Sequence, residues 1–287
     1  MERKFLKILT WFGIMAVLTA VAMTAWYACG GNQTTTSLKW LQFAQTVATF
    51  LLPPILCAWL WEPQHRPFTW LKLDRTANGS TLLMAVAIML CAMPGINLLA
   101  DLNSRIELPE SLDFIEQILK QQEQAAAALT ERFLQADHVG ILLLNIGLMA
   151  LLPALAEELS FRGILQQILT PTPQTANPLT PHLAIWITAF IFSAIHMQFY
   201  GFVPRMLMGA LFGYMFVWTG CLWVPVLMHF TNNCMAVLAY YFSDEIGQNG
   251  INYADTIGAG TTWYIGVISL VITSLGLLIF YRRTHTR

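Results

Sequence analysis

Residues 139–169 read "VGILLLNIGLMALLPALAEELSFRGILQQIL". The first 18 positions are almost wholly apolar. Two adjacent carboxylates, Glu157 and Glu158, and a guanidinium, Arg162, then interrupt the run. About 20 apolar residues cross a bilayer. An ionisable group inside such a span is expensive, so it marks a functional site or needs a partner. If this stretch spans a membrane, the chain is helical, and its chemistry sits where these charges are.

Composition agrees with a membrane solvent. Of 287 residues, 56% are hydrophobic and 11% charged, with a mean hydropathy of +0.56. A soluble domain is about a quarter charged. The expected class is therefore all-α and polytopic. A net charge of −1 argues against a nucleic-acid partner. The five cysteines, Cys29, Cys57, Cys91, Cys221 and Cys234, lack C-x-x-C spacing and read as small packing residues. The N-terminal run "MERKFLKILTWFGIMAVLTAVAMTAWYACGG" is long for a signal peptide and fits a spanning helix better. Bulky residues before Cys29 disfavour lipidation there.

Eight segments qualify as spans, near 5–28, 40–61, 80–100, 139–169, 182–200, 203–219, 222–242 and 262–281. Pro153 is expected to kink the fourth. Lys and Arg in short connections set orientation. Arg3, Lys4 and Lys7 precede the first span, Arg66, Lys72 and Arg75 follow the second, and Arg282, Arg283 and Arg287 end the chain. An even number of spans puts these clusters on one side. The expectation is a multi-pass protein of the cell (inner) membrane with both termini cytoplasmic. The acidic loop around Asp244, Glu245 and Asp255 falls opposite.

Segment 101–137 differs. Leu108, Leu112, Ile115, Leu119, Ala126, Leu129 and Phe133 recur at helical spacing, with Glu, Gln and Lys on the other faces. It reads as one extramembrane amphipathic helix, lying on the membrane or packed over the bundle, with Pro109 in its first turn. Loop 171–181, "PTPQTANPLTP", is an uncharged linker. One membrane domain, 1–287, is the simplest organisation.

Few polar residues lie inside the spans: Glu157, Glu158 and Arg162 on the fourth, His196 on the fifth, and His229 with Asn232 and Asn233 on the seventh. His65, His138, His182 and His285 are peripheral. Glu158 and Arg162 are four apart and can pair on one helix face. Glu157 points about 100° away and must look across the bundle. His229 and Asn233 also share a face. An economical arrangement places Glu157, His196, His229 and Asn233 around one internal cavity. A carboxylate beside an imidazole can activate water as general base. A second imidazole and an amide can serve an oxyanion. Alternatively, Glu157, His196 and His229 could hold a divalent zinc. Spacing does not separate these mechanisms.

Three motifs, "EELSFRG", "FSAIH" and "HFTNN", occur in order, each within an expected span. The set resembles the CPBP family of intramembrane endopeptidases, which includes the CAAX prenyl endopeptidases and bacteriocin-processing or immunity-type relatives. The resemblance covers a core of about 139–243. It implies that Glu157 and His196 activate the water, that Glu158 and Arg162 orient the site, and that His229 and Asn233 serve the oxyanion or a metal. Phe192 fills the motif's aromatic position. A neutral Asn233 is a poorer zinc ligand than a carboxylate, which favours oxyanion donation there. The implied substrate is a membrane-associated protein or peptide. Two other classes compete: a non-catalytic immunity or scaffold protein, and a proton-coupled transporter. Gly209 and Gly213 stand at small-x-x-x-small spacing and would admit a close helix neighbour.

Overall fold

A computed structural model describes residues 2–62, 66–170, 180–246 and 257–285, with side chains from residue 4 onward except at 180 and 243–246. His65, most of the 171–181 linker, the side chains of Arg3, Asp244 and Glu245, and residues Asp255 and Arg287 lie outside the described residues. The described chain is helical, without strands.

All eight expected spans form helices: α1 Glu2–Ala28, α2 Thr35–Trp61, α3 Gly79–Ser104, α5 Val139–Leu169, α6 Thr180–Ala194, α7 Phe202–Thr219, α8 Trp223–Ile246 and α9 Trp263–His285. The amphipathic α4, Asp113–Leu134, lies between α3 and α5. Six helices among the described residues, α1, α2, α3, α5, α7 and the one containing α9, are long and apolar enough to cross a membrane. The count of eight is thus reduced by that measure, for physical reasons. α6 has 15 residues, roughly 22 Å against a hydrocarbon core of about 30 Å. α8 has length enough but carries His229, Thr231, Asn232 and Asn233.

Two expected boundaries shift. α6 stops at Ala194 rather than near 200, so His196 lies in the following turn and not within a helix. The amphipathic helix is shorter than 101–137. Residues to Ser104 extend α3, and Pro109 precedes a single 3-10 turn at Glu110–Leu112 instead of opening the helix. Phe133 is buried, whereas Phe114 is 75% exposed and Ile115, Ile118 and Leu129 are also exposed. α4 is therefore anchored at its C-terminal end, and most of its apolar stripe is uncovered.

Proline explains the irregular turns. A proline lacks an N–H and its ring clashes with the carbonyl four residues back. In α2 a π turn, Val47–Leu51, immediately precedes Pro53 and Pro54. In α5 another, Ile146–Leu151, precedes Pro153. A second π segment in α5, Leu159–Gln166, follows the two glutamates directly. Such turns recur at functional sites. Pro94 inside α3 is accommodated by its neighbour: Ser269 of α9 donates to the Cys91 carbonyl and accepts from the Gly95 N–H. This restores partners to a broken helical ladder, as a membrane interior demands.

α8 is central, packing on α3, α5 and α7. Basic clusters gather at one end of the bundle. Lys4 donates to the Thr170 carbonyl at the end of α5. Lys7 lies over the Trp61 and Trp70 rings, the Leu222 N–H bonds to the Lys72 carbonyl, and Arg283 bonds to Ser80. This is the grouping that an even number of crossings requires. The described cysteines are free; Cys57 and Cys221 are buried, while Cys29 and Cys91 are exposed rather than packed.

The small-residue stripe of α7 meets α6. A Cβ on Gly209 would come 3.2 Å from Ala189 and Phe192, and one on Gly213 would come 2.8 Å from Gln166 Oε1 and Ile185. Gly213→Ala should therefore lower the thermal unfolding midpoint in detergent, by the equivalent of about 1–3 kcal/mol. Gly147→Ala, where a Cβ meets nothing within 4 Å, should be near neutral. Equal effects would show that close approach at Gly213 is unimportant.

Candidate active site

The charged triplet of α5 divides as helix geometry requires. Glu158 and Arg162 share a face and are both fully buried, with Arg162 Nη1 donating to Glu158 Oε1 at 2.7 Å. Arg162 Nη2 donates to the Gly209 carbonyl at 2.7 Å. Four residues on, Gln166 Nε2 donates to the Gly213 carbonyl at 3.1 Å. The absence of a side chain at Gly213 lets Gln166 of α5 come this close, while that at Gly209 admits α6. The small-residue spacing thus serves hydrogen bonding to α5 as well as packing on α6. The Arg162 guanidinium also lies 4.9 Å from the Phe192 ring centre and 5.5 Å from that of Phe212, a favourable setting for a desolvated cation.

Glu158 has a second donor. His229 Nδ1 lies 2.9 Å from the same Glu158 Oε1. A carboxylate oxygen accepts, so the Nδ1 proton is fixed there and Nε2 faces away. Nε2 stands 3.9 Å from Glu157 Oε2. The imidazole stacks on Phe212, with centroids 5.3 Å apart and planes 23° apart. Phe192 meets its edge at 6.0 Å. Glu157 is 14% exposed, unlike Glu158. One carboxylate is sealed in and bonded, and the other is accessible.

His196 and Asn233 make their hydrogen bonds outside this centre. His196 Nδ1 lies 2.8 Å from the Phe192 carbonyl, leaving the Nε2 lone pair free. Its ring touches Phe192 at 5.2 Å. The next residue, Met197, has a left-handed φ of 54°, a conformation that tightens the turn. Asn233 Oδ1 accepts from Asn232 Nδ2 at 3.2 Å, so the Asn233 amide N–H groups remain available. Glu157 thus faces His229, one of the two imidazoles that the sequence places with it.

A zinc would need ligand atoms from Glu157, His196 and His229 at about 2 Å from one point. The described residues contain no group of three His, Cys, Asp or Glu side chains able to hold a metal ion. His229 and His196 each bond through Nδ1, which leaves Nε2 as the nitrogen that could face a metal.

Sequence reasoning passed over Arg205 on α7. Its Nη2 donates to Gln198 at 2.6 Å, its Nη1 is buried without a partner, and it lies within electrostatic reach of Glu157. An arginine in the first turn of an expected span was the available signal.

These features define a multi-pass all-α membrane protein with a buried glutamate–arginine–histidine centre. Residues 139–235 match the family model of the Rce1-like type II CAAX prenyl endopeptidases. Over that segment, the family resemblance carried by the three motifs is shown. A 90-residue stretch is 33% identical to the uncharacterized protein YpbD of Bacillus subtilis. That stretch is 30% of this chain and 40% of YpbD, so the likeness covers well under two thirds of the relative. No solved structure matches the chain.

Breaking a buried ion pair on one side leaves an uncompensated charge, at a cost of about 3–5 kcal/mol. Glu158→Ala and Arg162→Ala should each destabilise by that order in thermal unfolding. Glu158→Leu/Arg162→Met together should cost clearly less than the sum of the two alanine effects. Strict additivity would show the pair to be uncoupled.

Proposed function

We propose that the protein is an intramembrane endopeptidase that cleaves a membrane-associated protein or peptide. The observation that carries this reading is the placement of His229, bonded through Nδ1 to Glu158 at 2.9 Å and presenting Nε2 to Glu157 at 3.9 Å. That second gap is too long for a direct hydrogen bond. It suits one water donating to both acceptors: two bonds of about 2.8 Å across it subtend roughly a right angle.

In this mechanism the water donates one hydrogen bond to Glu157 and one to His229 Nε2, its oxygen lone pair attacks the scissile carbonyl, and one of these two groups takes a single proton from it. The proton taken by Glu157 or His229 passes to the departing amine, so the peptide bond breaks with no net change in the enzyme. Asn233 Nδ2 is the donor proposed for the oxyanion. His196, with a free Nε2, orients the water or relays its proton. Glu158 and Arg162 hold the imidazole tautomer and position, so they are positioning residues. The apolar bundle keeps bulk water from the polar centre and strengthens each charge interaction within it.

The shared basic end of the bundle supports a cytoplasmic location for both termini in the inner membrane. The acidic α4 then lies on the opposite face. The family model's description points to C-terminal prenylated peptides as one substrate class to assay.

Purified protein in liposomes, presented with a membrane-anchored peptide library, should cleave a subset of peptides. Glu157→Gln and His229→Ala should each lower kcat/KM by about 10²–10⁴-fold while leaving the thermal midpoint of Glu157→Gln near wild type. A chelator should leave the rate unchanged, since no step requires a metal. Full cleavage by Glu157→Gln would contradict the proposal. Loss of activity on chelation, restored by zinc, would replace the mechanism with metal catalysis.

A further inference from the structure

A cavity of about 690 Å³ opens between α2 and α5 beneath the C-terminal end of α4. None of the catalytic candidates lines it. Its wall changes character with depth. At one end are Thr35, Thr36 and Lys39 from the start of α2, and Arg132 and Asp137 from the end of α4 and the connection that follows. Further along both helices come Trp40, Phe43, Ile141, Leu144 and Leu148. The step from Thr35 to Phe43 is about 12 Å along a helix. α2 and α5 both begin at the polar end, so that end lies at the membrane surface and the apolar wall descends into hydrocarbon. Trp40 is 65% exposed, and Phe43 and Leu144 are also open to the outside.

We propose that this groove binds an anionic phospholipid, with its phosphate between Lys39 and Arg132 and an acyl chain along Trp40, Phe43, Leu144 and Leu148. Charge complementarity is the first argument. Lys39 Nζ donates to Asn145 Oδ1 at 2.7 Å. Arg132 Nε donates to Thr35 Oγ1 at 2.8 Å, and its Nη2 to the Gln33 carbonyl. These partners are all neutral, so neither cation is neutralised by a carboxylate among the described residues. Their existing bonds fix both heads in place. An ammonium has three donors and a guanidinium five, so Arg132 Nη1 and two Lys39 hydrogens remain for a phosphate. Asp137 is the carboxylate in the lining, and it lies 3.7 Å from His138 Nε2. The polar end therefore keeps a net positive charge. The second argument is the gradient. A soluble phosphate would use only the cations, whereas a lipid also covers the exposed aromatic and aliphatic wall. Basic residues at a membrane surface recognise anionic headgroups by this chemistry.

The test uses purified full-length protein, delipidated in neutral detergent. Phosphatidylglycerol should raise the unfolding midpoint more than phosphatidylcholine or inorganic phosphate does. Native mass spectrometry should retain phosphatidylglycerol with a preference of about thirtyfold, the scale that two basic residues set. Lys39→Gln/Arg132→Gln should abolish that preference. Leu144→Trp, which fills the apolar groove and leaves both cations, should also abolish retention, and it carries the test alone if the double variant fails to fold. Arg282→Gln/Arg283→Gln, at the other end of the bundle, should change nothing. Equal shifts with phosphatidylcholine, full reproduction of the shift by inorganic phosphate, or unaltered retention in Leu144→Trp would overturn the proposal.

Discussion

A single buried carboxylate oxygen, Glu158 Oε1, accepts hydrogen bonds from an arginine on its own helix and a histidine on another. The rest of the arrangement depends on this constraint. A carboxylate fully out of water is tolerable only if its charge is matched and hydrogen-bonded; here Oε1 takes both donors, and Oε2 has no partner among the described residues. Arg162 supplies the charge and His229 the second bond. Because Arg162 also reaches the Gly209 carbonyl, the same carboxylate indirectly ties α5 to α7 and α8. The geometry of the accessible Glu157 is then set by its neighbour. With Glu158 facing inward, the adjacent residue turns about 100° toward His229 Nε2.

Small side chains and irregular turns make this possible. The carbonyls of the α7 glycines accept from α5, and the π segments of α5 bracket the carboxylates. Each feature is locally unfavourable: a glycine in a helix costs entropy, and a π turn gives up regular hydrogen bonding. Together they bring polar groups from three helices within bonding distance inside an apolar bundle. Phe192 and Phe212 close the remaining sides, one against Arg162 and both His rings, the other against Arg162 and His229.

Much of this was legible in the sequence. Hydropathy located each helix, because bilayer thickness imposes a length on apolar runs. The i,i+4 rule gave the Glu158–Arg162 pair. Two things were not legible. The fifth span was drawn to 200 because "FSAIHMQFYG" stays apolar past the point where α6 ends, and a one-dimensional pattern does not reveal the left-handed Met197 turn. The distances among the groups expected around Glu157 were the other. Facing across a bundle depends on rotation and depth, which spacing along separate helices does not specify, so His196 and His229 were equivalent choices. Arg205 belongs to none of the three motifs, and only its place at the start of an apolar run marks it. α6 is shorter and α8 more polar than an ordinary span for the same reason that they matter: they lead to, or carry, the histidines.

The central claim is that Glu158 dictates the tautomer and direction of His229. The most direct measurement is nitrogen NMR of the protein labelled with 15N-histidine, with the His229 resonance assigned by comparison with His229→Gln. The account predicts a neutral imidazole with its proton on Nδ1 and an unprotonated Nε2, and loss of that preference in Glu158→Ala. A His229 protonated on Nε2, or one whose spectrum is indifferent to Glu158, would contradict it.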